Sequence, residues 1–267
     1  LSFVDDPTRM LRAARLESRL GFQLDPRSEE LIADALPLLK RVSGDRIRNE
    51  LNQIFEEPEP ERAMCRLQAL GALAYIHPAL TCDKWLQTAF VTLREELDFA
   101  LWELDPENAD DVVFLHWALL AYRLAEDQLE AMTTRLKMTR DDADDLQAML
   151  DLKRELPRVG WRSRPSSIYR LLEPYHSRVL AAVWAATGSR RLRDRLQRYQ
   201  ARWRLVKPAI TGSDLKAMGL KPGPLFGRLL ETLRDARLDG KVEDRDQEEA
   251  LLHKLLDDEG ERSDEGA

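Results

Sequence analysis

Apolar residues recur at three- and four-residue intervals along most of the 267 positions. β-Branched runs are few and there are only 12 glycines, a pattern that predicts helices nearly throughout. Met10, Leu11, Ala14, Leu16, Leu20 and Phe22 mark an apolar stripe on a first helix starting near Pro7. Asp25-Pro26 breaks the chain, and a second helix covers 28–39 with Ser28 as its N-cap. Ser43 caps a third, on which Ile47, Leu51 and Ile54 are spaced for burial. Pro58-Glu-Pro60 punctuates the next boundary, and a helix over 61–71 ends at glycine. Long helical patterns run from 85 to 156, broken around 104–111. Thr139 is an N-cap candidate there, and the acidic run Asp141, Asp142, Asp144 and Asp145 suits the helix start behind it. A basic helix over 189–207 would bury Leu192, Leu196, Tyr199, Trp203 and Val206. Ser213 then caps a short helix that Gly219 ends, and Pro222-Gly-Pro224 turns into a longer one ending at Asp239-Gly240. A final acidic helix covers 243–256. The expected class is all-α.

A hydrophobic content of 43% is ample for a core. Charged residues make up 33% and the net charge is -7, which does not announce a nucleic-acid binder but leaves room for local basic patches. Cys65 and Cys82 fit a reduced, cytoplasmic protein without a disulfide framework, and they offer no metal signature. His77, His116, His176 and His253 each stand alone, with no second ligand at metal spacing, so packed or capping roles are expected. No apolar run approaches membrane length and no signal-peptide pattern is visible.

Three stretches carry candidate chemistry. Asp6 and Arg9 are three apart, close together on one helix face. A carboxylate accepts from an exocyclic amino group while a guanidinium donates to the ring acceptors beside it. Together they could read the amino-bearing edge of cytosine or adenine and mismatch guanine and uracil. The alternative is an acidic helix start before an amphipathic helix. Between 189 and 207, eight basic residues (Arg190, Arg191, Arg193, Arg195, Arg198, Arg202, Arg204 and Lys207) face one acid, Asp194. Arg190, Arg191, Arg195, Arg198 and Arg202 are candidate RNA phosphate contacts, the alternative being a solvated arginine face. Lys221, Gly223 and Gly227 surround a proline-led helix start whose free N–H groups could approach a phosphate, or which simply packs as a helix–turn–helix.

Asp5-Asp-Pro-Thr-Arg-Met-Leu-Arg-Ala-Ala-Arg15, followed by Leu20-Gly-Phe22, resembles the neck motif of class II tRNA nucleotidyltransferases. That family comprises CCA-adding enzymes, their CC- and A-adding variants and bacterial poly(A) polymerases. The motif usually reads Glu-Asp-Pro-Leu-Arg-Met-Leu-Arg-Ala, so Asp5 and Thr8 are departures. Residues 43–51 resemble the following motif, Ser-x-Glu-Arg-Ile-x-x-Glu-Leu, with Asp45 in place of Glu. Residues 72–80 and 210–230 resemble further family segments. The resemblance implies that Asp6 and Arg9 pair with incoming CTP or ATP, the protein acting as template. It implies supporting roles in the neck for Asp5, Arg12, Arg46 and Glu50.

The resemblance further implies an elongated, curved array of helices that holds the tRNA acceptor stem and elbow. The expected parts are a neck over 1–57, a body over 58–207, a tRNA-binding tail over 208–256 and a flexible C-terminus over 257–267. Two magnesium-bound carboxylates and the phosphoryl chemistry would lie in a head absent from this chain. Gly188-Ser189 with Arg193-Asp194 is an accidental match to a head signature, since no strand or Asp-x-Asp pair accompanies it. The chain opens at Leu1 inside a recognisable motif and reads as a piece of something longer. No catalytic or metal-binding residue is assigned to it. The alternatives are a poly(A) polymerase fragment, or a stand-alone helical module that binds RNA or other proteins.

Overall fold

The computed structural model describes residues 3–158, 160 and 162–264. Among them are fifteen α-helices and no strand. The chain divides into two compact units, one formed by residues 1–156 and 175–196, the other by 157–174 and 197–267.

The first unit opens with α1 (Arg9–Leu20), α2 (Pro26–Ala35) and, after a 3-10 turn over Leu36–Arg41, α3 (Gly44–Phe55). Helix α2 starts two residues before the expected cap, because Asp25 and not Ser28 caps it. Asp25 accepts from Ser28 N at 3.1 Å and from Ser28 Oγ at 2.6 Å, and proline takes the first helical position. α4 (Pro60–Ala69) leads through Gly71, left-handed at φ 79°, into α5 (Ala72–Ile76). That reversal returns the chain along α4 and brings Cys65 and Cys82 to a Cα separation of 5.0 Å, where they are disulfide-bonded. The expectation of two reduced thiols is corrected here, since residue spacing alone could not show that the turn at Gly71 aligns them. His77 is buried past the end of α5, its Nδ1 accepting from Ala79 N at 3.3 Å.

α6 (Lys84–Glu96), α7 (Ala109–Ala121), α8 (Glu126–Leu136), α9 (Arg140–Glu155) and α11 (Ser177–Ala186) build the centre of this unit. α7 is buried from Val113 to Ala121 and packs on α11, which is buried from Val179 to Ala186. Thr139 caps α9, accepting from Asp142 N at 3.2 Å. His176 is not isolated, as its spacing had suggested. Asp145, 31 residues away, accepts from its Nδ1 at 2.9 Å and from Arg178 Nε at 2.5 Å.

His116 stacks on Phe55 at 5.5 Å, and its Nδ1 lies 2.7 Å from Val112 O. Burial pulls its pKa down to about 4 from 6.5. Between those values the unfolded chain binds a proton that the folded one refuses, so stability falls as pH drops from 6.5 towards 4. In urea unfolding at several pH values, His116→Phe is expected to flatten that slope. An unchanged slope would show that His116 takes up its proton while folded.

The second unit contains α10 (Pro165–Leu172), α13 (Gly212–Ala217), α14 (Pro224–Leu238) and α15 (Arg245–Asp264). Ile210, Leu215, Leu229, Leu233 and Leu252 form its core. Thr211, not Ser213, caps α13, with Asp214 reaching back to Thr211 N at 2.7 Å. The Thr211 hydroxyl foremost, with Arg245, holds the Asp214 carboxyl far below the usual range. Asp239, at the end of α14, caps α10 by accepting from Ser166 N at 3.0 Å and Ser166 Oγ at 2.9 Å. The last helix extends past the expected 256 to Asp264. Of the flexible terminus expected over 257–267, residues 265–267 lie outside the described residues. Among the described residues no helix is long and apolar enough to cross a membrane.

Candidate nucleotide and RNA interface

Asp6 stands just outside α1, followed by a proline that keeps it from the helix. The turn over 6–9 closes with Arg9 N donating to Asp6 O at 3.1 Å, which sets the two candidate base readers in one turn. Thr8 occupies the N-cap position without capping forward. Its hydroxyl reaches back instead, donating to Asp6 Oδ1 at 2.7 Å, and its backbone N–H donates to the same oxygen at 3.2 Å. Arg46 Nη2, from α3, is the third donor at 2.8 Å. The Thr8 hydroxyl is the largest cause holding the Asp6 carboxyl below its ordinary pKa, and Arg46 adds to it against the opposing effect of burial. Oδ2 has no partner among the described residues.

From the turn before α1 and along α3 to just past its end the charges pair in sequence: Asp6 with Arg46, Arg12 with Glu50 at 2.6 Å, Arg15 with Glu57 at 3.3 Å. The numbers rise together, so the two helices run in the same direction. Arg66 on α4 adds a clamp, meeting Glu17 of α1 at 2.6 Å and also Glu29 of α2. These charges explain a departure from the expected apolar stripe. Met10, Leu11 and Ala14 are buried, but Leu16, Leu20 and Phe22 are exposed, at 43%, 53% and 70%. The later half of α1 carries ion pairs through Arg15, Glu17 and Arg19. Asp5 is exposed and lies outside this network. A cleft of about 720 Å³, lined in part by Arg15, Arg19, Gln53, Glu57 and Arg62, opens at the far end of the ladder; neither Asp6 nor Arg9 lines it.

Helix α12 (Arg190–Ala201) carries the candidate phosphate contacts. It ends before Trp203, which lies in a 3-10 turn, so Trp203 and Val206 leave the expected buried face. Both are half-buried, as is Leu192, while Leu196 and Tyr199 are buried. Arg190, Arg191, Arg198 and Arg202 are exposed. Arg195 is half-buried with a partner of its own. Arg193 is occupied by Glu96 at 3.1 Å and by the carbonyls of Trp184 and Thr187. In the second unit Lys221 is exposed beside the start of α14. Gly223 is extended there at φ 172°, and a Cβ at Gly227 would meet nothing within 4 Å. Open space, not backbone strain, is what these two glycines provide. Two residues that matter to the geometry were missed as functional. Thr8 appeared only as a departure, although a hydroxyl two residues after an aspartate is a known local clasp. Gly44 had no local signal.

Residues 113–255, more than half of the chain, match the family profile described as "tRNA nucleotidyltransferase domain 2 putative". The chain belongs to the tRNA nucleotidyltransferase family. Residues 21–83 match a second profile, "Probable RNA and SrmB- binding site of polymerase A", so Asp6 and Arg9 lie ahead of both matches. The A-adding tRNA nucleotidyltransferase of Geobacter sulfurreducens is 33% identical over 96% of this chain and 30% of its own length. That of Halalkalibacterium halodurans is 26% identical over 91% of this chain and 55% of its own length. The chain thus spans about a third to a half of these relatives. In fold it is similar to the Thermotoga maritima CCA-adding enzyme complexed with tRNA, with TM-score 0.74 and 23% identity over 95% of this chain and 62% of that one. A CCA-adding enzyme solved with CTP gives TM-score 0.75 and 22% identity over 95% and 61%.

Proposed function

We propose that this chain is the base-selecting and tRNA-holding part of a tRNA nucleotidyltransferase that adds all or part of CCA to tRNA 3′ ends. The observation that carries the reading is the turn joining Asp6 to Arg9, with the Asp6 carboxylate held ionised and its Oδ2 without a partner among the described residues. An ionised carboxylate only accepts, so it suits the exocyclic amine of cytosine or adenine. Arg9 then donates to the ring acceptor beside that amine, while uracil and guanine would set a keto oxygen against the carboxylate. Arg46 bonds Asp6 directly, and the Arg12–Glu50 pair ties α1 to α3 beside the turn. Arg190, Arg191 and Arg198 offer an exposed cationic helix face for RNA phosphates, with exposed Arg202 just past its end, and Lys221 with the N-terminus of α14 offers another.

The substrates in this reading are CTP or ATP and a tRNA. Among the described residues no group of three His, Cys, Asp or Glu is placed to hold a metal ion. No step is assigned to a metal here. Phosphoryl transfer is assigned to a head domain, and the purified chain alone is expected not to extend a tRNA. The fold it shares with enzymes solved with tRNA and with CTP supports this reading. A poly(A)-adding enzyme is the second reading, favoured by the polymerase A profile over 21–83.

Binding of the chain to a tRNA lacking CCA, against an unrelated single strand and across salt, tests the proposal. Selective binding with a steep salt dependence is expected. Replacing Arg190 and Arg191 with Gln should weaken it about tenfold near 100 mM salt and lower the log–log salt slope by about 2. Equal affinity for both RNAs would sink the tRNA-holding role.

A further inference from the structure

Thr8 stands where the neck motif usually carries leucine, and its hydroxyl makes a bond that leucine cannot. Three donors converge on Asp6 Oδ1: Thr8 Oγ1 at 2.7 Å, Thr8 N at 3.2 Å and Arg46 Nη2 at 2.8 Å. They are not equally protected. Thr8 is fully buried, whereas the Arg46 side chain is 51% exposed and water competes for it. Rotation about the last torsion of an aspartate exchanges its two oxygens, and nothing intrinsic favours either as the one that meets a ligand. Saturating one oxygen from the protein side removes that freedom.

We propose that Thr8 is a positioning residue whose buried hydroxyl locks Asp6 Oδ1 inward, leaving Oδ2 as the single acceptor for the base and sharpening selection of amino-bearing over keto-bearing nucleotides. This rests on the reading of Asp6 as a base reader. A second consequence acts in the same direction. A protonated carboxyl group can donate to the keto oxygen of uracil or guanine, so selection fails whenever Asp6 picks up a proton. The clasp opposes that, since the Thr8 hydroxyl bonds best to the ionised form. The charged groups around the carboxylate are Arg46 on α3, Arg12 and Arg9 on α1, and exposed Asp5 beside it; Arg9 has a partner of its own and Arg12 is paired with Glu50. The hydroxyl is thus the local device whose removal leaves those charges unchanged.

The test uses the 267-residue chain with 13C-labelled aspartate side chains, following the Asp6 carboxyl signal by NMR against pH and against CTP, UTP, ATP and GTP. In the wild-type chain CTP and ATP are expected to move the signal at concentrations where UTP and GTP do not. Thr8→Val should raise the Asp6 titration midpoint and cut the CTP-over-UTP preference about fivefold, with Thr8→Ser restoring both. If Thr8→Val does not fold, the Thr8→Ser and Thr8→Ala pair, which differ only in the hydroxyl, decides the same question. Asp6→Asn has no Asp6 carboxyl signal and is read instead by direct binding of CTP, UTP, ATP and GTP in equilibrium titration, alongside the wild type; it separates the two levels, because an amide both donates and accepts. If Asp6→Asn discriminates like the wild type, or the wild type shows no preference, the base-reading role of Asp6 fails and the Thr8 role with it. If Asp6→Asn loses the preference while removal of the hydroxyl changes neither midpoint nor preference, the assignment of Thr8 alone is overturned.

Discussion

Gly44→Ala is expected to destabilise the chain by about 4 kcal/mol and to lower its Tm by about 10 °C, measured by circular dichroism in thermal and urea unfolding. A Cβ at Gly44 would lie 1.8 Å from Arg135 O, 2.8 Å from Arg135 C and 3.0 Å from Leu136 Cα. All three are backbone atoms, so no change of rotamer relieves the overlap and the start of α3 must move away from the end of α8. That separation breaks more than one contact. Arg135 Nη2 donates to Leu39 O and Val42 O, both at 3.0 Å, and so satisfies carbonyls at the end of the 3-10 turn. Arg48 reaches Leu136 O at 3.3 Å, and Lys137 meets Asp45 at 3.2 Å. α3 also carries Arg46 and Glu50, so the variant should disturb the Asp6 clasp as well as the fold. A Tm within a degree or two of the wild type would mean that α3 and α8 do not approach as described.

What the chain disclosed on paper, and what it hid, follows from the range of each interaction. Helices were legible because their signals are local: proline at Pro60 and Pro224, the cap at Thr139, the left-handed glycines at Gly71 and Gly240. Where two local signals competed, the choice could fail. Asp25 and Ser28 are both good caps, and only the bonds between them show which one serves. Contacts between distant positions left almost no trace. Arg46 and Asp6 are 40 residues apart, Arg12 and Glu50 are 38 apart, and motif resemblance named the four without saying who pairs with whom. The same limit explains Cys65–Cys82, 17 apart, where composition argued for free thiols. It also explains Leu16 and Leu20, which keep helical spacing yet stay exposed on a helix whose neighbouring charges pair across to other helices. On α12 the pattern of arginines was plain, but Arg193 alone could not announce that Glu96 occupies it.

A second large loss is expected from Arg12→Met, about 3 kcal/mol by urea unfolding, because of what it leaves behind. Glu50 is 6% exposed, and its Oε1 accepts from Arg12 Nε at 2.7 Å and pairs with Nη2 at 2.6 Å. Its other oxygen is buried and has no hydrogen-bond partner among the described residues. The guanidinium is therefore the main compensation for a carboxylate that water cannot reach. Methionine keeps much of the apolar stem of Arg12 and removes only the charge and the donors. Arg12 itself is 46% exposed, which keeps the loss at the lower end for a broken buried pair. The decisive measurement is the double-mutant cycle with Glu50→Gln. If the loss comes from an uncompensated charge, Arg12→Met should cost about 1 kcal/mol or less once Glu50 is neutral, and the double variant should be more stable than Arg12→Met alone. Additive losses would place the stabilisation in packing along α1 and not in the pair. The Arg12 guanidinium also feels the charge of Asp6, although Glu50 acts on it far more directly.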